Sequence, residues 1–323
     1  MIAPPVEIAE NLEFARDVSA GLGREGQKEL PSKYLYDDLG SALFDAITLL
    51  PEYGLTRADA RLLERHGAEV IRHFARNPLV VELGSGNGSK TRGMLQQAAD
   101  RGPVHYIPID ISCAALEKCL LALRPISNVN VTPLADSYLN GLHAAAKSRG
   151  PGQKLLVLFL GSTIGNFYLE AAESFLRQIR NALVPGDALL LGADLLKPVE
   201  QMLIAYDDPI GVTAAFNLNV LSRINRELGG DFVIRGFEHE ARFNERDSRI
   251  EMHLRCSVPR SVYIESIGLR IQLRQGETIW TEASQKFRPE EVRTMAHRAG
   301  FECRSQWIDG EWPFAENLLI AGA

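Results

Sequence analysis

The sequence predicts an α/β protein in which a Rossmann-like, doubly wound sheet carries a second, smaller α+β domain. Three observations lead there. Apolar runs alternate with helical patterns between about residues 78 and 194, a glycine-rich turn follows the first of those runs, and the patterning changes character after Leu196. Apolar runs separated by helices imply parallel strands covered on both faces, because each crossover lays a helix against the sheet.

The elements follow in order. Residues 8 to 22 and 40 to 50 space their apolar side chains as helices do, and "GLTRADARLLERHGAEVIRHF" predicts a longer helix with Thr56 as its N-cap. "PLVVELG" reads as a buried strand, 88 to 101 as helix, "VHYIPID" as strand, 112 to 124 as helix, and "VNVTPLAD" and "KLLVLFLG" as further strands. A helix over 168 to 183 and the strand "GDALLLGAD" complete this block. Beyond it the helical pattern "VTAAFNLNVLSRINREL" precedes two alternating stretches, "IEMHLRC" and "LRIQLR", that suit antiparallel strands. The end, "PEEVRTMAHRAGFECRSQWIDG" and "NLLIAGA", predicts helix, strand, turn and strand returning to the first sheet.

Composition narrows the function. A chain of 323 residues, 46% hydrophobic and 24% charged, can bury a large core and exceeds the usual single-domain size. A net charge of −6 and a pI of about 5.7 argue against nucleic acid or an anionic membrane as partner and for a small molecule. Cys113, Cys119, Cys256 and Cys303 form no C-x-x-C pair and no histidine pair has zinc spacing, so neither a disulfide framework nor a metal site is expected. "MIAPPVEIAENLEF" lacks the basic start and apolar stretch of a secretion signal, and no run is long enough to cross a bilayer. A cytoplasmic monomer is the expectation.

The turn "GSGNGSKT", Gly84 to Thr91, poses the chemical question. A phosphate-binding P-loop needs glycine where Ser89 stands, so that backbone N–H groups can curl round a phosphate. A nucleoside instead needs close backbone approach at Gly84 and Gly86, and an acid roughly 20 residues on to accept from the ribose hydroxyls. Asp110, ending "YIPID", is that acid. A dinucleotide favours the full G-x-G-x-x-G, whereas S-adenosylmethionine has no pyrophosphate and tolerates the Ser89 departure. Asp136, at the end of the third strand, can accept from the adenine amino group, and Lys90 can meet the methionine carboxylate. The alternative makes these ordinary strand-end acids and a surface lysine.

Six stretches carry a resemblance: "LPSKYLYDDLGSALFDAITLLPEYGLTRADARLL", "VVELGSGNGSKT", "FLGSTIGNF", "YDDPIGVTAAFNLNVLSRINREL", "IEMHLR" and "TEASQKFRPEEV". Together they are similar to the histidine-specific S-adenosylmethionine-dependent methyltransferases over nearly the whole chain. The glycine turn is generic, but "GSTIGNF" and "TEASQKF" are particular to the group. The resemblance implies a substrate-binding domain from 1–57 and 196–286 and a methyltransferase domain from 58–195 and 287–323. It implies methyl transfer to the α-amino nitrogen of L-histidine, up to the trimethylated betaine of ergothioneine biosynthesis. Gly84, Ser85, Gly86, Lys90, Asp110 and Asp136 fall on its cofactor positions, with Tyr36 beside the methionine end. Tyr53, Asn166 and Tyr206 fall where the amino and carboxylate groups are held, Gly161 near the amine, and Glu282, Ser284 and Met252 at the imidazole. Tyr53 and Asn166 would orient the nitrogen. Ser137 stands where an aromatic is expected directly after the acid, with Tyr138 one place later.

Pattern alone leaves several of these open. Asn166 follows a strand ending at Gly161, where α/β enzymes place ligands, yet an asparagine there can equally bond nearby backbone. Tyr53 and Tyr206 precede turns, so their hydroxyls can enter a cleft or find any buried partner. Glu282 and Ser284, two apart in an extended segment, share a face and suit a neutral imidazole, which donates from one nitrogen and accepts at the other. By pattern alone a solvent-facing strand edge is favoured for them, and Met252 is core. None of the seven histidines forms a general-base arrangement with a nucleophile. The rival readings are methylation of another aromatic amino acid or an indole derivative, a nicotinamide oxidoreductase, and a non-catalytic adenosyl-ligand sensor.

Overall fold

A computed structural model describes the backbone of residues 5–322 and the side chains of residues 12–322. It divides into two compact units, Met1–Tyr53 with Pro198–Ser284, and Gly54–Lys197 with Gln285–Ala323. Among the described residues no helix is long and apolar enough to cross a membrane, and no cluster of three ligating side chains could hold a metal.

The second unit is built on one eight-stranded sheet. Its order is Phe301–Ile308, Phe314–Ala321, Ala188–Asp194, Leu155–Phe159, Leu79–Leu83, Val104–Asp110, Val129–Val131, with Leu134–Ala135 also paired to Val104–Asp110. The strands from Ala188–Asp194 to Val129–Val131 run parallel, and the last two strands of the chain close the sheet antiparallel. Apolar residues fill both faces of the central strands because helices cover both. Val81, Val157 and Leu189 pack with Phe175, Ile179 and Met295 on one side, while Val80, Leu156 and Leu190 pack with Leu63, Val70 and Leu95 on the other. Successive strands are laid outward in opposite directions from Leu79–Leu83 and Leu155–Phe159, which are parallel neighbours. The loops leaving those two strands therefore border the crevice where such sheets bind ligands.

Local departures from the sequence reading have local causes. "VNVTPLAD" is two short strands, Val129–Val131 and Leu134–Ala135, because Pro133 has no N–H to donate to the ladder. The helix Tyr138–Lys147, absent from the periodicity reading, is the crossover that two parallel strands require. The long helix is Leu55–Arg72, starting after Gly54, so Thr56 lies inside it rather than capping it.

In the first unit a four-stranded sheet runs Lys28–Glu29, Thr278–Gln285, Arg249–Cys256, Phe237–Asn244, accompanied by the antiparallel pair Arg260–Ile264 and Leu269–Leu273. The helices Asp38–Ile47, Val199–Tyr206 and Val212–Leu228 belong to it, the last with the bounds its apolar spacing predicts.

Asp194 ends its strand with its side chain buried, and accepts from Lys197 at 2.6 Å, Lys286 at 2.8 Å and the Trp312 indole N–H at 3.0 Å. Burial pushes its carboxyl up, but the two ammonium groups outweigh that and hold it below the usual carboxylate range. Truncating it strands two buried cations. Asp194→Ala should lose about 3 to 5 kcal/mol of stability in urea unfolding; a loss below about 1 kcal/mol would show the cluster to be incidental.

Candidate active site

After Leu79–Leu83 the chain turns through Gly84, Gly86 and Gly88, all left-handed with φ of 75°, 54° and 68°. A Cβ on Gly86 would meet nothing within 4 Å, so the backbone there is open to close approach, whereas one on Gly88 would lie 2.5 Å from the Cys119 sulfur. The turn thus takes its third glycine at Gly88, and Ser89 is under no such demand. Asp110 braces it: Oδ2 accepts the Gly86 N–H at 3.0 Å and Oδ1 the Ser112 N–H at 2.9 Å. Each carboxylate oxygen keeps capacity for a second donor. The Ser85 hydroxyl is buried without a hydrogen-bond partner.

Asp136 precedes the helix Tyr138–Lys147 and accepts the Ser137 N–H at 2.7 Å. The aromatic side chain behind the turn is Tyr138, whose ring packs against Phe159 and Phe175 and whose hydroxyl lies 3.2 Å from where a Gly84 Cβ would stand. Burial, aided by the charge of Asp110, pushes its phenol up to about 12. Tyr138 stands one place beyond the position at which the resemblance leads one to expect an aromatic.

Lys90 pairs with Asp59 at 2.7 Å, and the same Asp59 oxygen accepts the Gly161 N–H at 2.9 Å. Burial opposes the lysine's charge, but Asp59 outweighs it and the ammonium is held above its ordinary value. Gly161 and Ser162 are both left-handed, with φ of 68° and 58°. For serine this costs strain, which the Asp194 N–H offsets by donating to the Ser162 hydroxyl at 2.9 Å. The turn ends in the short 3-10 helix Thr163–Asn166, leaving Asn166 half-buried. Under the glycine turn, Glu82 lies 2.8 and 2.7 Å from the Thr91 hydroxyl and also accepts from Tyr106. Burial raises it to about 7 against those hydrogen bonds. Asp59 sits in an amphipathic helix and Glu82 in an apolar strand, and neither position shows a role in the sequence.

The first unit gathers a different set. Thr278–Gln285 lies between two strands, and Glu282 and Ser284 are only 8% and 5% exposed, which corrects the solvent-facing edge that pattern alone favours. The Ser284 and Tyr206 hydroxyls are 2.7 Å apart, and the Tyr36 hydroxyl donates to Glu282 at 3.3 Å. Edge-on aromatic contacts link Tyr36 to Phe44, Phe44 to Tyr53 and Tyr53 to Tyr206, at centroid separations of 5.4, 6.3 and 5.9 Å. Met252 is buried on the neighbouring strand, its carbonyl accepting from Thr281 at 3.0 Å. The structure therefore brings together Tyr36, Tyr53, Tyr206, Glu282 and Ser284 in one unit, and Gly84, Ser85, Gly86, Asp110 and Asp136, with the Lys90–Gly161 pair, in the other. Tyr36, assigned by resemblance to the cofactor, is the one cofactor position that lies in the first unit, where it touches an imidazole position.

The family described as histidine-specific methyltransferase, SAM-dependent, matches residues 14–321. The histidine N-alpha-methyltransferase of Mycobacterium tuberculosis is 41% identical over 97% of this chain and 96% of its own length. That of Mycolicibacterium smegmatis is 40% identical over 94% of each. Ergothioneine biosynthesis protein 1 of Neurospora crassa is 30% identical over 89% of this chain, which spans 32% of that longer protein. The chain is a member of the histidine-specific, S-adenosylmethionine-dependent methyltransferases.

Proposed function

We propose that this chain methylates the α-amino nitrogen of L-histidine, up to the trimethylated betaine hercynine, as a step of ergothioneine biosynthesis. The observation that carries the choice of histidine is the buried pair Glu282 and Ser284 on one strand face, with Ser284 bonded to Tyr206. A carboxylate accepts the imidazole N–H, and a serine that accepts from Tyr206 keeps its own proton for the other ring nitrogen. Support comes also from relatives named for that activity across nearly the full chain. We assign the first unit to substrate binding and the second to the methyltransferase function, in a monomer acting in the cytoplasm.

The residues present fit S-adenosylmethionine. Gly86 offers an open backbone, Asp110 has acceptor capacity for ribose hydroxyls, and the buried Ser85 hydroxyl lacks a protein partner. Asp136 suits the adenine amino group and Lys90 the methionine carboxylate. When bound, the cofactor supplies an electrophilic methyl group on a sulfonium. The protein's part is alignment: Tyr53 and Asn166 orient the amine, Tyr206 helps fix the amino acid, Met252 walls the ring, and Gly161 lies at the amine. Orientation alone can supply much of the rate. The amine attacks as the neutral base, and its proton passes to water. Each added methyl removes a donor N–H and leaves the lone pair until the third is in place.

Histidine with excess S-adenosylmethionine should therefore proceed to the trimethyl product, followed by mass spectrometry; accumulation that stops at monomethylhistidine with cofactor and active enzyme remaining would overturn this. Asp110→Ala should cost about 1 to 3 kcal/mol of cofactor affinity by calorimetry while the fold survives. Unchanged affinity would mean that the ribose lies elsewhere. Glu282→Ala should lose histidine activity steeply and narrow the gap to phenylalanine and tryptophan, since a site that hydrogen-bonds its ligand rejects analogues lacking that group most strongly. Competition assays retaining full histidine preference would remove Glu282 from the role.

A further inference from the structure

Asp59 is fully buried, and one of its oxygens takes both the Lys90 ammonium and the Gly161 N–H. Its other oxygen is buried with no donor in reach. Glu316, on Phe314–Ala321, is 1% exposed, and neither of its carboxyl oxygens has a donor either. Glu316 in that state does not ionise readily, because an unpaired buried carboxylate is costly. Burial, the charge of Asp59 and that of Glu82 raise Glu316 well above the carboxylate range, against the pull of Lys90. A protonated Glu316 has one hydrogen to give, and the vacant oxygen of Asp59 is the matching acceptor.

The packing places this pair at the loop. Glu316 and Gly192 are cross-strand partners, and a Cβ on Gly192 would lie 2.9 Å from the Glu316 carboxyl and 3.3 Å from the Gly161 nitrogen. A Cβ on Gly161 would in turn lie 3.0 Å from the Lys90 ammonium. Glu316 and the Gly161 N–H therefore face the same point over Gly192, and that N–H shares its acceptor Asp59 with Lys90.

We infer that Asp59 and Glu316 form a proton-sharing carboxyl–carboxylate pair that fixes the Lys90 ammonium and the Gly161 N–H, and so act as positioning residues for the amino-acid end of the cofactor. The inference deepens the methyltransferase reading and rests on it for the identity of that ligand. With Glu316 protonated, Asp59 carries one negative charge against the one positive charge of Lys90, and the lysine is leashed beside Gly161 instead of swinging into solvent. An ionised Glu316 would add a second anion and draw the ammonium inward.

The test compares Asp59→Asn, Glu316→Ala and Glu316→Gln in the full chain. Infrared difference spectra of the protein without cofactor, at about pH 8, should contain the carbonyl stretch of a protonated carboxylic acid, and Glu316→Gln should remove it. Calorimetry should show S-adenosylmethionine binding weakened about tenfold in Asp59→Asn and Glu316→Ala. Glu316→Gln, whose amide can still donate to Asp59, should recover most of that loss. Absence of the band in wild type, or equal losses in Glu316→Ala and Glu316→Gln, overturns the pair. If Asp59→Asn does not fold, the band and the two Glu316 variants still decide. A wild-type protein that keeps the band but forms no methylated histidine would refute the functional reading and leave the pair standing.

Discussion

A charge buried at the carboxyl end of a parallel sheet must be neutralised where it lies, and much of the second unit follows from how this chain does so. Asp194 draws in Lys197 and Lys286, while the Trp312 ring that donates to it covers Gly54. Gly54, Lys197 and Lys286 all lie at or beside points where the chain enters or leaves this unit. One carboxylate thus bonds lysines at two passages of the backbone through the unit's boundary and reaches the third through Trp312. Its own N–H also holds Ser162, which keeps the strained turn before Asn166 in place. Replacing such an ionic cluster by apolar side chains could preserve stability, but it would release the passages from a common point.

The parallel strands were legible because burial on both faces writes continuous apolar runs, and Val212–Leu228 because its helical spacing is sustained over 17 residues. What escaped had specific causes. Tyr138–Lys147 is only 10 residues long, and small residues, Gly141 and Ala145, make up most of its buried face. Gly54 supplanted Thr56 at the helix start because the Trp312 ring stands directly over it, a contact between residues far apart in sequence.

The candidate site divides the same way. Gly84, Gly86 and Asp110 are local features of a strand–turn–helix, and sequence reading reaches them from geometry alone. Glu282 and Ser284 needed resemblance, since alternation gives a shared face but not its burial, which comes from strands on both sides and from Tyr36 and Tyr206. Asp59 and Glu316 were invisible by either route. An acid inside an amphipathic helix reads as part of its polar face, and one inside "FAENLLIA" as an interruption; only the packing makes them neighbours.

The histidines bear on mechanism through what they are already bonded to. In the first unit His239 spends one ring nitrogen on the Tyr206 carbonyl at 2.7 Å and faces Asn217 with the other at 2.9 Å. His253 bonds Glu251 at 3.2 Å and stacks on Trp280, and its burial favours the neutral ring. These rings buttress the strands and helix that carry Tyr206 and Met252. The α-ammonium group of a free amino acid is mostly protonated near neutral pH, so it must lose a proton to water before each transfer, and in-line displacement at carbon then demands close alignment. Holding the amine in line with the methyl carbon is the demand that such a reaction makes of a protein, ahead of any proton transfer.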